Sequence, residues 1–166
     1  MTTPRFASAS ILAFVCACWI ATVSAGEPSA DTTVLFVCEH GSVKSLMAAR
    51  LFEKAAMERG LSARGISRGM TPDAHVPTRI VDGLKLDGID VAAFEPIRVD
   101  QEEVRAASRV VVIGVDPSAM GTANRPVEAW NDIPESSDYP AARAALLRHI
   151  GTLLDELQSV PAKDKK

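Results

Sequence analysis

Thr33-Val-Leu-Phe-Val37, followed by Cys38-Glu-His-Gly-Ser-Val-Lys-Ser45, is the stretch that decides the fold. Four of its first five residues are β-branched or aromatic. The run is apolar on both faces, as in a parallel strand covered on both sides. Cys38 to Val43 is polar and carries Gly41, so the chain leaves the strand through a tight loop. From Lys44 to Arg59 the pattern turns helical. Ala48, Leu51, Phe52 and Ala55 fall at i, i+3, i+4 and i+7, and Gly60 is placed to end the helix. The unit is strand, loop, helix, with Cys38 at the carboxyl end of the strand.

Outward from this unit the alternation continues. Leu61–Ser67 reads as a weakly signalled second strand, Met70–Val76 as a loop and Thr78–Leu86 as a short helix with Ile80, Val81 and Leu84 inward. Gln101–Ala107 is predicted helical. Arg109–Val115 is a second fully apolar strand and Val127–Trp130 a short fourth one. Asp138–Leu157 is the last helix, with Leu146, Ile150, Leu153 and Leu157 in one stripe and Asp138 as its N-terminal cap. Strands alternating with helices imply an α/β fold, a parallel sheet with helices on both faces. Ligands of such sheets bind outside the carboxyl ends of the strands, where Cys38 lies.

Composition narrows the function classes. The chain has 166 residues, 47% hydrophobic and 23% charged, which suits one soluble domain. A net charge of -3 and an aromatic content of 5% argue against a nucleic-acid partner, which calls for a basic patch or stacking rings. Residues 1–25 have the three-part pattern of a secretory signal: Arg5, an apolar run from Ile11 to Val23, and small residues Val23-Ser24-Ala25. The run is too short for a membrane span. Cleavage near Ala25 is expected to leave a periplasmic or secreted protein with no membrane attachment. It would comprise a linker at 26–32, a domain at 33–158 and a polar tail at 159–166. Cys16 and Cys18 leave with the signal, and Cys38 is then alone. A lone thiol in an oxidising compartment is a liability unless it is buried or chemistry requires it. No Cys/His spacing suggests zinc, and no cofactor is expected.

A loop running from a strand into a helix N-terminus gathers unpaired backbone amides and the positive end of the helix dipole. Such a nest favours the thiolate of Cys38 over the thiol, and it would also hold a tetrahedral oxyanion against the sulfur. Lys44, in the first helical turn, opposes the helix dipole, so a functional reason for its charge is expected there.

Val-Leu-Phe-Val-Cys, a five-residue gap, a basic residue, Ser, and then Ala-Ala-Arg-Leu-Phe resembles the low-molecular-weight tyrosine phosphatases and the arsenate reductases of the same fold. Gly88-Ile89-Asp90, Ala107–Val112 and Trp130-Asn131-Asp132-Ile133-Pro134 are similar to later segments in the same order. The resemblance covers about residues 33–157. It implies a three-layer, flavodoxin-like fold with a four-stranded parallel sheet, and phosphomonoester hydrolysis through a phosphocysteine. On it, Cys38 is the nucleophile, Lys44 the anion-binding cation and Ser45 a hydrogen-bond donor to the sulfur. Asp132 is the general acid, with Asp138 the competitor. Glu39, His40, Gly41, Ser42 and Val43 would contact a phosphate- or arsenate-like oxyanion or a phosphorylated substrate. Three departures stand out: Lys44 replaces the family's Arg, His40 and Gly41 replace its Gly and Asn, and Ile133 interrupts its Asp-Pro. Lys lacks the planar fork that grips two phosphate oxygens. Alternatives are arsenate reduction, which needs electrons from a second or an external thiol, and oxyanion binding without turnover. His75 and His149 read as ordinary surface residues, and Trp130 as core.

Overall fold

The computed structural model describes residues 32–159. The expected signal segment, residues 26–31 of the linker and residues 160–166 of the tail lie outside the described residues. Thr32 and Ser159, placed in the linker and the tail by sequence, belong to the first strand and the last helix.

Strands β1 (Thr32–Cys38), β2 (Ala63–Gly69), β3 (Arg109–Ile113) and β4 (Val127–Trp130) form a four-stranded sheet in the order β2-β1-β3-β4. All three pairings are parallel. Helices α1 (Lys44–Glu58), α2 (Thr78–Leu86), α3 (Gln101–Ala106) and α4 (Tyr139–Ser159) complete the described chain, with a 3₁₀ turn at Pro117–Met120 between β3 and β4. The α/β architecture expected from the sequence is present. β2 runs two residues beyond its expected end. β3 stops at Ile113, because Gly114 turns away with a φ of +67°.

The period of two along β1 sorts the core into two layers. Val34, Phe36 and Cys38 face one side with Leu46, Leu51 and Phe52 of α1, Ile80 and Leu84 of α2, and Leu146 and Ile150 of α4. Leu35 and Val37 face the other with Val110, Val112, Val104 of α3 and Met120 of the 3₁₀ turn. Burial of side chains this size stabilises by about 1.5–3 kcal/mol each. That is why both faces of β1 had to be apolar. Phe36 lies at the centre of the first layer, its ring 5.6 Å from Phe52 and 5.7 Å from Trp130. Trp130, 1% exposed, is core as expected.

Asp138 accepts a hydrogen bond from the Ala141 amide at 3.0 Å and caps α4. At the same end of α4, Asp87, which follows α2, accepts from Arg143 and from the Tyr139 hydroxyl and ties the two helices. The Arg143 hydrogen bonds hold the Asp87 carboxyl below its ordinary range, against the opposing effect of burial. No helix among the described residues is long and apolar enough to cross a membrane.

Candidate functional site

Cys38 ends β1, and the chain then makes a loop that enters α1 at Lys44. The outer side of this loop is held by the segment that follows β2. The Met70 amide donates to Cys38 O at 3.0 Å, the Thr71 amide to Glu39 O at 2.8 Å, and the Asp73 amide to His40 O at 3.1 Å. The Ser67 hydroxyl reaches Gly41 O at 3.0 Å. Four successive carbonyls are thus turned toward residues 67–73. In a trans peptide the N–H points opposite to the C=O of the same unit. The amides of Glu39, His40, Gly41 and Ser42 are therefore directed to the other side. One of them, Gly41 N–H, donates to Cys38 Sγ at 3.3 Å. The others have no hydrogen-bond partner among the described residues.

This packing requires glycine at two positions. Gly41 has a φ of +68°, a conformation costly for side chains with a Cβ. A Cβ on Gly41 would stand 2.8 Å from the Gly69 nitrogen, and a Cβ on Gly69 would stand 2.8 Å from the Gly41 nitrogen.

Behind the sulfur lies a buried hydroxyl chain. Ser45 Oγ is 3.0 Å from Cys38 Sγ, and Ser67 Oγ is 2.9 Å from Ser45 Oγ. A thiolate is an acceptor only, so Ser45 then donates its hydroxyl hydrogen bond to the sulfur, while the single Ser67 hydroxyl hydrogen serves either Ser45 Oγ or Gly41 O. Ser67, buried in β2, was not singled out from the sequence; a Ser between Gly65 and Gly69 in a strand was the available signal.

Cys38 opens on a cleft of about 390 Å³. Glu39, His40, Val43 and Lys44 of the loop line it. Asp73 and Pro77 before α2, Arg79 in α2, Ile113 at the end of β3 with Gly114 after it, and Glu135 and Ser136 after β4 complete the wall. Ser42 lies beneath the loop, its hydroxyl donating to Asp73, and Gly41 serves through its backbone. His40 Nδ1 is 3.5 Å from the same Asp73 carboxylate.

Lys44 spans the cleft. Its Nζ donates to Ile133 O at 3.3 Å and stands 3.5 Å from Glu135 Oε1. Asp132, the acid expected from the sequence, is not among the cleft-lining residues. Its carboxylate accepts from His149 at 2.7 Å, and that hydrogen bond is the main reason its carboxyl lies below the ordinary range. His149 is correspondingly no plain surface residue, because its ring stacks on Trp130 at 4.7 Å. The carboxyl that reaches the cleft from this loop is Glu135. Its place beyond the carboxyl end of β4 was the sequence signal that could have found it. Asp138 is occupied as the α4 cap. Arg79 was also missed, although a cation in a first helical turn without acidic residues runs against the dipole as Lys44 does. Among the described residues no group of three His, Cys, Asp or Glu side chains could hold a metal ion.

The arrangement places a thiol sulfur at the floor, inward amides around it, a lysine across it and a carboxyl on the opposite wall. A family model described as low molecular weight phosphotyrosine protein phosphatase matches residues 33–128. Solved structures share the fold. The low molecular weight protein tyrosine phosphatase of T. tengcongensis has a TM-score of 0.64 at 19% identity, covering 76% of this chain and 99% of that one. The YwlE arginine phosphatase of Geobacillus stearothermophilus has a TM-score of 0.58 at 21% identity, covering 81% and 98%. The thioredoxin-dependent arsenate reductase of Corynebacterium glutamicum has a TM-score of 0.62 at 20% identity, covering 77% and 62%.

Proposed function

The chain belongs to the low molecular weight phosphotyrosine protein phosphatase family, and on that footing we propose that it hydrolyses phosphomonoesters through a phosphocysteine formed on Cys38. The observation that carries the proposal is the sulfur's setting: Sγ accepts from Gly41 N–H and faces Ser45 Oγ at the floor of a cleft, with further amides turned inward around it.

In the first step Cys38 thiolate attacks phosphorus, an S–P bond forms and the ester P–O bond breaks. The departing oxygen takes a proton from the Glu135 carboxyl, which replaces Asp132 as the acid in this reading. The inward amides of residues 39–42 and the Lys44 ammonium hold the phosphoryl oxygens. The Lys44 ammonium has three donors, one engaged by Ile133 O and one facing Glu135, which leaves a third for a phosphoryl oxygen. In the second step a water attacks phosphorus, giving its proton to the Glu135 carboxylate. The S–P bond breaks, inorganic phosphate leaves, and Ser45 donates a hydrogen bond to the returning thiolate.

The test is phosphate release from p-nitrophenyl phosphate under reducing conditions, wild type beside Cys38→Ser, with rapid acid quenching to trap the phosphocysteine. Turnover that depends on Cys38 and a label trapped on it support the reading; turnover surviving in Cys38→Ser removes Cys38 from the mechanism. We also propose that the chain is exported, as the 1–25 pattern suggests. N-terminal sequencing of envelope protein should begin within a few residues of Gly26, and cytoplasmic protein starting at Met1 would refute it.

A further inference from the structure

Arg79 is the cation of the cleft with no carboxylate partner. Its Nε and Nη2 donate to Ser136 O at 3.3 Å and to Ser136 Oγ at 3.2 Å, both neutral acceptors. Among the described residues no carboxylate comes within ion-pair distance of it, whereas Lys44 is paired with Glu135 and His40 with Asp73. The hydrogen bonds to Ser136 fix the plane of the guanidinium and leave the Nη1 hydrogens free to donate.

The backbone beneath Arg79 points the same way. α2 is nine residues long, begins at Thr78, has no acidic residue in its first turn and has no side-chain cap. Pro77, its N-cap residue, lines the cleft beside Arg79. The positive end of α2 and an unneutralised arginine therefore lie together on the wall formed by α2 and the loop after β4. Cys38 and the start of α1 form the floor. Like-charge crowding of this kind costs stability unless an anion relieves it. Glu39, the carboxylate of the cleft without an ion-pair partner, lies in the Cys38 loop, which leaves the α2 wall as the favourable place for negative charge.

The other walls offer charge rather than a stacking surface. None of the lining residues is Phe, Tyr or Trp. Trp130 is in the core and Tyr139 is tied to Asp87. A substrate held here is gripped by charge at both ends rather than by stacking.

We propose that Arg79 is a specificity-determining residue that binds a second anionic group of the substrate, so the preferred substrates are small phosphomonoesters carrying an additional carboxylate or phosphate. The inference rests on the reading of Cys38 as the phosphoryl-binding end. Its planar fork is suited to carboxylate and phosphate oxygens alike.

Binding separates this inference from turnover. In a Cys38→Ser background, calorimetry compares 2-phosphoglycolate with ethyl phosphate, a pair differing by carboxylate against methyl, and 3-phosphopropionate with propyl phosphate for a longer span. Bisphosphates of the same spans, beside the same alkyl phosphates, distinguish a carboxylate from a second phosphate. The acidic ester should bind tighter by about two- to fivefold in at least one pair, the scale of a single ion pair to an exposed guanidinium. Adding Arg79→Ala should bring that ratio near one, and Arg79→Lys should leave it between. If Arg79 merely braces the Ser136 loop, Arg79→Ala weakens both esters alike and the ratio survives, which overturns the proposal. A parent that binds both esters equally overturns it too. Failure of the parent to bind any of these esters rejects Arg79 as an anchor together with the anion cradle, whereas p-nitrophenyl phosphate turnover by wild type reports on the cradle alone.

Discussion

Replacing Glu135 by Gln keeps the reach of the side chain and removes the proton it would deliver. Glu135 lines the Cys38 cleft, 3.5 Å from Lys44 Nζ, and its side chain is 88% exposed, so the core does not depend on it. A positioned general acid contributes about 10² to 10⁴ in rate. An exposed carboxyl shared with a lysine belongs at the lower end, about 100-fold, or about 2.7 kcal/mol of barrier. The loss should grade with the leaving group. Phenolate, with a pKa of about 10 like that of tyrosine, needs the proton; p-nitrophenolate leaves largely without one. The assay is kcat/KM, which reports formation of the phosphocysteine, for phenyl and p-nitrophenyl phosphate. Glu135→Gln should cost most of its activity on phenyl phosphate and much less on the nitro compound. Asp132→Asn should leave this leaving-group dependence as in wild type, because Asp132 is engaged with His149 away from the cleft. Full phenyl phosphate activity in Glu135→Gln, or transfer of the dependence to Asp132→Asn, would refute the assignment.

Lys44→Ala should weaken inhibition by vanadate about tenfold or more, the loss of one charged hydrogen bond, while Lys44→Arg should stay within about fivefold of wild type; equal inhibition constants for all three would mean the ammonium does not meet the oxyanion. Gly69→Ala puts a Cβ 2.8 Å from the Gly41 nitrogen and the His40 carbonyl carbon. It should cost about 1–3 kcal/mol in urea unfolding and a larger fraction of activity; unchanged values would show that the loop does not rest on Gly69. Asp87→Asn should destabilise by about 1 kcal/mol at neutral pH, a modest figure because Arg143 is 38% exposed and screened by solvent. Because folding lowers the Asp87 pKa below 3.8, its contribution is present above that value and disappears as pH falls through the folded pKa. The stability gap between wild type and Asp87→Asn should therefore narrow in acid, and a gap that does not shrink at all as pH falls below 3.8 would contradict the linkage.

The parts legible in the sequence are those whose signal is local. Thr33–Val37 could only be a strand buried on both faces, and α1 carried its periodicity openly. Asp138 as a cap followed from its position alone. β2 was faint for a physical reason: Ala-Arg-Gly-Ile-Ser-Arg-Gly is an edge strand, with β1 on one side only, so arginines and glycines replace the apolar run. Its functional residue went unseen with it. Ser67 matters because parallel pairing places it beside Phe36, two residues before Cys38, a contact no local pattern announces. Asp132 stands apart from the cleft for the same reason. It is the nearer carboxyl to β4, but α4 brings His149 against it from 17 residues away, and the chain then carries Glu135 into the cleft.

The departures from the family pattern differ in weight because they act on different atoms. The cradle is held by main-chain hydrogen bonds from residues 70, 71 and 73 to carbonyls 38, 39 and 40, so changing the side chain at His40 leaves it standing. Gly41 replaces the Asn of the resembling enzymes at a φ of +68°. Asn is the other residue that enters this region readily, so the backbone requirement is met by either. Lys44 is different, because on the proposed reading its side chain itself meets the ligand. Charge is kept and the fork is lost, while a guanidinium stands elsewhere on the cleft wall at Arg79. On the proposed reading the backbone carries the oxyanion site, and the planar cation of the cleft stands at Arg79 on the α2 wall rather than at position 44. Discrimination would then rest less on the phosphoryl group, common to all substrates of such a site, than on whatever the substrate carries beyond it.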